Sequence, residues 1–466
     1  MDSPMGYILL SLGSLLLSFI IYSLNFPTGI IPALAILGLF TIVLTIINPK
    51  YGFFINLFFA LFLRFFVKFN EDLPFGIITN IFPVLTFFSI ILQKLRTGIL
   101  KWTNYKNPVT YAFLFYIVYY FLEILNPEAH SILGWAQALR EVSTSLLLYF
   151  ITLELCTSRK FLKEFLVFWL ISSCILGLYG MFQEYFGFLP FELNWVNSNS
   201  NRLSLILVDG VFRKFSAYTS PTTFGIGMSM AVIFSSVLFG LKNSLIRTIF
   251  MVFGIIVMLM GMAYSGTRTA DVMLPTAFAL YLILNLDNFK LIAVSLVPIF
   301  AFVVLLVAPI NGNYTLNRFR SAFSGSKDIS FNVRDRNRKL VQPYIYEHPI
   351  GGGISTTGGD GIRFNPGHTL AGFPTDSGYL KTTLEQGYIG LLIIASVYWI
   401  ILRQGLRNYF KLKDIQLKTY SLGILLVFFA LIVGNYSQDA IAEIPNAQLF
   451  YILSACLVKL PEIELN

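Results

Sequence analysis

Long apolar runs separated by short polar connections dominate the chain. A run of about 20 apolar residues is the length that a helix needs to cross a bilayer. The pattern therefore predicts an all-α, polytopic integral membrane protein with about 12–14 transmembrane helices. The runs at 51–67 and 142–157 are the shortest and could instead be re-entrant. The predicted spans lie at about 5–24, 27–48, 51–67, 73–93, 109–126, 142–157, 161–182, 222–241, 246–264, 269–286, 290–309, 377–402, 418–435 and 446–460.

Composition agrees with this pattern. Of the 466 residues, 56% are hydrophobic and only 12% are charged, and the mean hydropathy is +0.71. A soluble domain carries roughly 25% charged residues, so the composition excludes a water-soluble globular enzyme. The spans leave little room for a separate soluble domain, and functional residues are expected in the helices or the longest loops.

Positively charged residues in the short connections predict the orientation. Four clusters of Lys and Arg fall on one side when the runs alternate across the membrane, and that side is expected to be cytoplasmic, with both termini. The net charge of +9 then reflects topology, and no nucleic-acid partner is expected. Segments 183–221 and 310–376 face outward. The clusters are Lys94, Arg96, Lys101 and Lys106; Arg159, Lys160 and Lys163; Lys242 and Arg247; and Arg403, Arg407, Lys411, Lys413 and Lys418.

The chain gives no sign of a metal, a cofactor or a disulfide framework. Its three cysteines lie in or beside apolar runs, and His348 and His368 are too isolated to predict a metal site. The first apolar run lacks a basic flank and a cleavage pattern, so we expect a retained helix.

The outer segment 310–376 is basic and carries three alternating arginines, Arg334, Arg336 and Arg338. Guanidinium groups bind phosphate oxygens in a bidentate manner, so these residues indicate an anionic phosphate partner at the outer surface. The alternative is a solvated cationic face. Residues 332–346 have helical spacing of apolar side chains and predict an amphipathic helix that ends at Gly351–Gly353.

Two more arginines precede or follow apolar runs on the same outer side. Arg213 lies before the run at 222–241, and Arg268 lies where the next segment leaves the membrane. An arginine at membrane depth is costly unless it is paired or lines a wet cavity, so Arg268 is a functional candidate. It could instead be an interfacial anchor, or pair with Asp271 on one helix face.

Carboxylates and an aromatic residue surround the start of the run at 377–402. Asp376 could act as a general base or orient a sugar hydroxyl, or it could be an ordinary helix cap. Glu385 follows on the same run. Outer aromatic residues such as Tyr379 could stack on sugar rings, although most fit an interfacial belt.

Four motifs in order make the chain similar to the O-antigen polymerase and O-antigen ligase superfamily of bacterial polysaccharide assembly. The resemblance covers about residues 205–395. The first motif is Arg213 with Pro221, and the second is Ser265–Ala270, which resembles S-x-S-R-x-A. The third is Arg334 followed by His348–Gly353, with Arg338 where the family often has tryptophan. The fourth is Asp376–Leu380 followed by Glu385–Gly390.

The resemblance also bears on the type of enzyme. Ligases of the superfamily typically have histidine where this chain has Asp376, so the match is closer to the polymerases, including exopolysaccharide polymerases. The acceptor distinguishes the two activities, and an O-antigen ligase that acts on a lipid A core, as in lipopolysaccharide, or on protein stays open. A flippase or transporter for lipid-linked glycans is the alternative from another class, and a non-catalytic membrane scaffold is a further one.

What the resemblance implies is a GT-C-like, metal-independent and inverting glycosyltransferase of the cytoplasmic membrane. The donor would be a glycan on undecaprenyl diphosphate, and a chain-length regulator and a flippase are expected partners. Arg334, Asp376 and Arg268 would be catalytic, while Arg213, Arg336, Arg338, Tyr379 and Glu385 would bind substrate. The expected organisation is N-terminal helices at 1–204, a core at 205–445 that includes the loop 310–376, and a final helix and tail at 446–466.

Overall fold

The computed structural model describes residues 38–69, 71, 75–98, 105–241, 244–287, 303–304, 306–307, 314–321, 323 and 329–465. These parts are almost wholly helical, with one short hairpin of β1 (Leu207–Val208) and β2 (Val211–Phe212). The predicted spans at 5–24 and at 290–309, apart from four residues, lie outside the described residues, as does the first part of 27–48. The helices are α1 Gly38–Ile47, α2 Pro49–Val67, α3 Phe75–Thr97, α4 Pro108–Leu122, α5 Ile132–Leu155, α6 Arg159–Tyr185, α7 Pro190–Asn197, α8 Ser200–Ile206, α9 Pro221–Val237, α10 Leu245–Ser265, α11 Arg268–Ile283, α12 Tyr314–Ser321, α13 Ile329–Glu347, α14 Gly358–Phe364, α15 Gly378–Lys411, α16 Ile415–Gly434 and α17 Asn446–Leu465.

Eight helices in the described part of the chain are long and apolar enough to cross a membrane, which confirms the polytopic all-α prediction. Three other predicted runs also form helices, which are shorter or more polar: α5, α11 and α17. Several spans start at proline directly after a capping side chain, as at Pro49, Pro108 and Pro221. Proline at the first helical position loses no intrahelical hydrogen bond, so these dipeptides fix where the helices begin.

Three predicted boundaries were wrong. Helix α5 begins ten residues before the predicted 142, because polar residues such as Arg140 lower the hydropathy of a segment that Ser131 nevertheless caps. Helix α13 covers the predicted segment 332–346, but it ends at Glu347, so the glycines at 351–353 lie beyond its end. Helix α15 continues past 402 to Lys411.

Helices α9 and α16 lie at the centre of the bundle, where α6, α10, α11, α15 and α17 surround them. Their fully buried aromatic side chains include Phe224, Phe234 and Phe428. The outward face of α10 exposes a row of large apolar side chains: Leu245, Ile246, Ile249 and Phe250. In water such a surface would be unfavourable, so it is consistent with a surrounding bilayer.

The polar connections gather at the two ends of the bundle. At one end, Asn126 donates to the Ile350 carbonyl, and the Ser131 amide donates to Asn365. At the opposite end, Arg159 and Asp414 form an ion pair of 2.5 Å. The first end, which we call the site end, carries the motifs described below. The opposite end carries Arg159 and the other basic connections.

Candidate active site

The segment 435–445, which joins α16 to α17 at the site end, contacts all four motif segments. We call it the 435–445 connection. The Gly378 amide and the Ser377 hydroxyl both donate to the Asn435 carbonyl, at 3.0 and 3.2 Å. Asp376 directly precedes this pair in the chain. The fourth motif is therefore fixed at the first residue of the connection.

The next residue of the connection holds the third motif. Arg338 donates to the Tyr436 hydroxyl at 2.7 Å and to the Tyr436 carbonyl at 2.9 Å. Its guanidinium lies 4.2 Å from the centre of the Tyr436 ring, in a cation–π contact. Arg338 thus packs α13 against the connection.

The remaining two motifs meet the later part of the connection. The hydroxyls of Thr269 and Ser437 are 2.9 Å apart. Glu443 accepts a hydrogen bond from Ser220 at 3.4 Å and one from Thr223. Sequence reasoning missed this connection, because a polar segment of eleven residues between two spans has nothing unusual in its composition.

Two arginine side chains, those of Arg213 and Arg318, donate hydrogen bonds to the turn between α10 and α11. Arg213 follows strand β2, and its Nε donates to the Ser265 carbonyl at 2.9 Å. Its Nη2 donates to the Thr267 hydroxyl at 3.1 Å, and that hydroxyl donates to the Pro221 carbonyl at 3.0 Å. The first and second motifs are therefore held together by direct hydrogen bonds.

Arg318 approaches the same turn from α12, and its Nε donates to the Gly266 carbonyl at 2.7 Å. Arg268 is the first residue of α11 and is half-buried. Asp271, which is buried, interacts electrostatically with both Arg318 and Arg268. Asp271 thus interacts with Arg268, as the alternative interpretation of a pair on one helix face expects, and it also interacts with Arg318. Sequence reasoning did not predict Arg318 as a site residue.

The three arginines of helix α13 differ in how far they are exposed to solvent. Arg334 and Arg338 are half-buried and lie one turn apart, so they share a helix face, while Arg336 between them is exposed. The face shared by Arg334 and Arg338 is the one that meets Tyr436.

The glycines of the third motif bind directly to the backbone of α15, which carries the fourth motif. The amides of Gly352 and Gly353 donate to carbonyls of α15, at 2.7 and 2.8 Å. Those carbonyls are available because α15 is broken at Gly387, which has a φ of +65°. A Cβ at Gly387 would lie 2.1 Å from the Pro349 carbonyl oxygen, so only glycine fits there.

Asp376 is half-buried and lies one residue before the helix cap. The N-cap of α15 is Ser377, whose side chain accepts from the Leu380 amide. The interpretation of Asp376 as an ordinary helix cap was therefore wrong. Tyr379, in the first turn, donates to the Ile432 carbonyl at 2.8 Å, so its hydroxyl contributes to packing between α15 and α16.

A cavity of about 420 Å³ opens at the site end among α2, α3, α4, α5, α14, α15, α17 and the 435–445 connection. Glu385 is the one predicted site residue in its wall, and its Oε1 accepts a hydrogen bond of 2.5 Å from Thr357. Lys381 lies 3.8 Å from Asp439 in the same wall. The five predicted arginines and Asp376 do not line the cavity. The structure thus brings the motifs together but separates Glu385 from the arginines.

His368 lies beside the glycines of the third motif, where a Cβ on Gly352 would touch its ring. The Leu370 amide donates to its Nδ1 at 3.1 Å, so this nitrogen carries no proton. Burial is the main cause that lowers the pKa of His368 below its usual value; Glu128 opposes the shift, and His130 and His348 add to it.

Comparison with known proteins finds one matching family model. The family model described as O-Antigen ligase matches residues 253–395, which include all of the predicted site residues except Arg213. Comparison with curated proteins gives no match to this chain. The family match confirms the resemblance found in the sequence: over residues 253–395 the chain is similar to the O-antigen polymerase and ligase superfamily.

Proposed function

We propose that the protein is a membrane glycosyltransferase that polymerises undecaprenyl-diphosphate-linked repeat units into O-antigen or exopolysaccharide. The observation that carries the proposal is the meeting of the four motif segments on the 435–445 connection. In this proposal the site end faces the outer side of a bacterial cytoplasmic membrane and both termini are cytoplasmic.

The arginines suit the donor diphosphate. Arg213, Arg268 and Arg334 would hold its oxygens and neutralise the charge that builds on the departing oxygen. A guanidinium stays protonated and binds phosphate in a bidentate manner, so this part of the reaction needs no metal. The half-buried position of these three side chains reduces screening by water and supports the assignment.

The proposed step is an inverting displacement at the anomeric carbon of the donor. The acceptor hydroxyl attacks this carbon, and its proton passes to the carboxylate of Asp376. The bond between the anomeric carbon and the phosphate oxygen breaks, and undecaprenyl diphosphate leaves with the bonding electrons. The capping of α15 supports this role of Asp376. Because Ser377 is the residue that caps the helix, the carboxylate of Asp376 is available for proton transfer.

An O-antigen ligase is the second candidate, since the matching family model carries that description. The donor chemistry would be the same, and only the acceptor would differ. Asp376, at the position where ligases of the superfamily typically have histidine, favours the polymerase.

Gel analysis of surface and lipid-linked polysaccharide in a deletion strain tests the proposal. The strain is complemented with the wild type, with Arg334→Ala, or with Lys339→Ala as the matched control. Lys339 lies on the same helix, is 73% exposed and pairs with Asp335, so its loss should leave polymer formation unchanged. We expect single lipid-linked repeat units to accumulate with Arg334→Ala. Full-length polymer retained on its lipid carrier in the deletion strain would indicate a ligase, and unchanged glycan would contradict both activities.

A further inference from the structure

The cavity at the site end differs in charge from the cluster of arginines. Five carboxylates line it: Glu141, Asp360, Glu385, Asp439 and Glu443. Three cationic side chains line it: Arg64, Arg140 and Lys381. Carboxylates are therefore in formal excess by two. The turn between α10 and α11, where Arg213, Arg268 and Arg318 lie, is instead rich in positive charge.

The carboxylates are distributed from the mouth of the cavity to its base. Glu141, Asp360 and Glu443 are exposed and lie at the mouth, whereas Glu385 is buried. An anionic ligand would meet these carboxylates on entry and would add negative charge to a partly desolvated space. The cavity is therefore unsuited to the diphosphate, which fits the arginine turn.

The other wall groups suit a sugar ring. Six aromatic side chains line the cavity: Phe113, Tyr116, Tyr120, Tyr398, Phe450 and Tyr451. Aromatic faces pack against the apolar C–H faces of a pyranose, while carboxylates accept hydrogen bonds from its hydroxyls. The volume of 420 Å³ lies within the range of small-molecule sites, about 300–1,000 Å³.

One buried polar atom in the cavity wall has no hydrogen-bond partner in the described part of the chain. Gln386 lines the cavity and is 4% exposed, and its Oε1 accepts no hydrogen bond from the described part of the chain. A buried acceptor without a donor costs about 1–3 kcal/mol.

We infer that this cavity binds a neutral or amino-bearing sugar of the acceptor glycan and excludes sugars that carry a carboxylate. The inference rests on the proposed function only for the identity of the ligand as the acceptor. Asp439 and Glu443 belong to the 435–445 connection, so a sugar in the cavity would lie against the segment that also holds the motifs. An ammonium group on the sugar would gain from the excess of carboxylates, whereas a uronic acid would be repelled.

Thermal unfolding of the purified full chain tests this without any lipid-linked donor. Glucosamine, glucose and glucuronate are added at equal concentration and ionic strength, since a ligand that binds the folded state raises the melting temperature. We expect a rise with glucosamine, a smaller rise with glucose and none with glucuronate. A rise with glucuronate as large as that with glucosamine, or no rise with any sugar, would overturn the inference.

Two isosteric variants test whether the preference for glucosamine arises from the carboxylates of the cavity. Glu141→Gln at the mouth and Asp439→Asn deeper in the wall should each reduce the preference for glucosamine over glucose. Asp335→Asn removes a carboxylate of α13 outside the cavity and should behave as the wild type. Unchanged preference in both cavity variants would contradict the inference, and the wild-type series decides alone if a variant fails to fold. Sugar binding without glycosyl transfer would reject the proposed function and leave the sugar site standing.

Discussion

The hydroxyl of Thr269, one residue after Arg268, lies 2.9 Å from the hydroxyl of Ser437 in the 435–445 connection. This contact joins the arginine turn to a segment almost 170 residues later in the chain. The same connection holds Arg338 and Ser377 through its neighbouring residues. Side chains from distant helices are thus placed by one short segment, which is the arrangement expected of a preorganised site.

Replacement of Asp376 should separate catalysis from stability. Asp376→Asn should abolish polymer formation with little change in melting temperature, because this residue does not cap α15. Ser377→Ala should instead cost about 1 kcal/mol of stability, as the loss of a helix cap does. Gel analysis of the polymer and thermal unfolding of both variants measure the two effects. Full activity of Asp376→Asn would remove this residue from the mechanism.

The ring of Tyr436 should matter more than its hydroxyl. Tyr436→Phe keeps the cation–π contact and the carbonyl that accepts from Arg338, so we expect most of the activity to remain. Tyr436→Ala removes the ring and frees the Arg338 side chain, and polymer formation should fall severalfold. Equal activity of the two variants would show that the contact does not position α13.

Glycine should be required at position 387 for steric reasons. Gly387→Ala would place a Cβ 2.1 Å from the Pro349 carbonyl oxygen in a left-handed backbone, so we expect a loss of about 1–3 kcal/mol. Gly359→Ala is the control, since a Cβ there meets nothing within 4 Å. Its melting temperature should stay the same or rise slightly, because alanine favours the helix. Similar melting temperatures for the two variants would contradict the proposed packing.

Lowering the pH should reduce the stability of the folded protein through His368. Because its pKa is lowered in the folded protein, the unfolded chain binds more protons, and stability falls as pH drops from above the unfolded pKa of about 6.5 toward the lower folded value. His368→Asn offers an amide oxygen to the Leu370 amide at every pH. Melting temperatures measured between pH 8 and 5 should fall more for the wild type than for this variant. Parallel curves would show that His368 does not cause the loss.

The apolar runs sufficed to predict the class of fold, because backbone groups in lipid must be satisfied within helices. Boundaries failed where polar residues enter a helix, as at Arg140 in α5, since hydropathy does not register a cap such as Ser131. The sequence predicts that the glycines at 351–353 end a helix, although the amides of Gly352 and Gly353 donate to carbonyls of α15.

The motifs identified the arginines, but their partners were not predictable from spacing. Tyr436 and Ser437 have no local pattern that marks them, and their importance arises from contacts with residues far away in the chain. The same holds for Arg318, which reaches Gly266 from another helix. Long-range packing, which a single sequence does not display, decides which polar residues meet.

The most direct test uses the purified full chain with a synthetic undecaprenyl-diphosphate-linked repeat unit. Released undecaprenyl diphosphate and the length of the glycan are measured together, for the wild type and for Arg334→Ala. The proposal predicts one undecaprenyl diphosphate released for each glycosidic bond formed, products of increasing length, and the loss of both signals in the variant. Release without chain growth, or equal products from the wild type and Arg334→Ala, would contradict it.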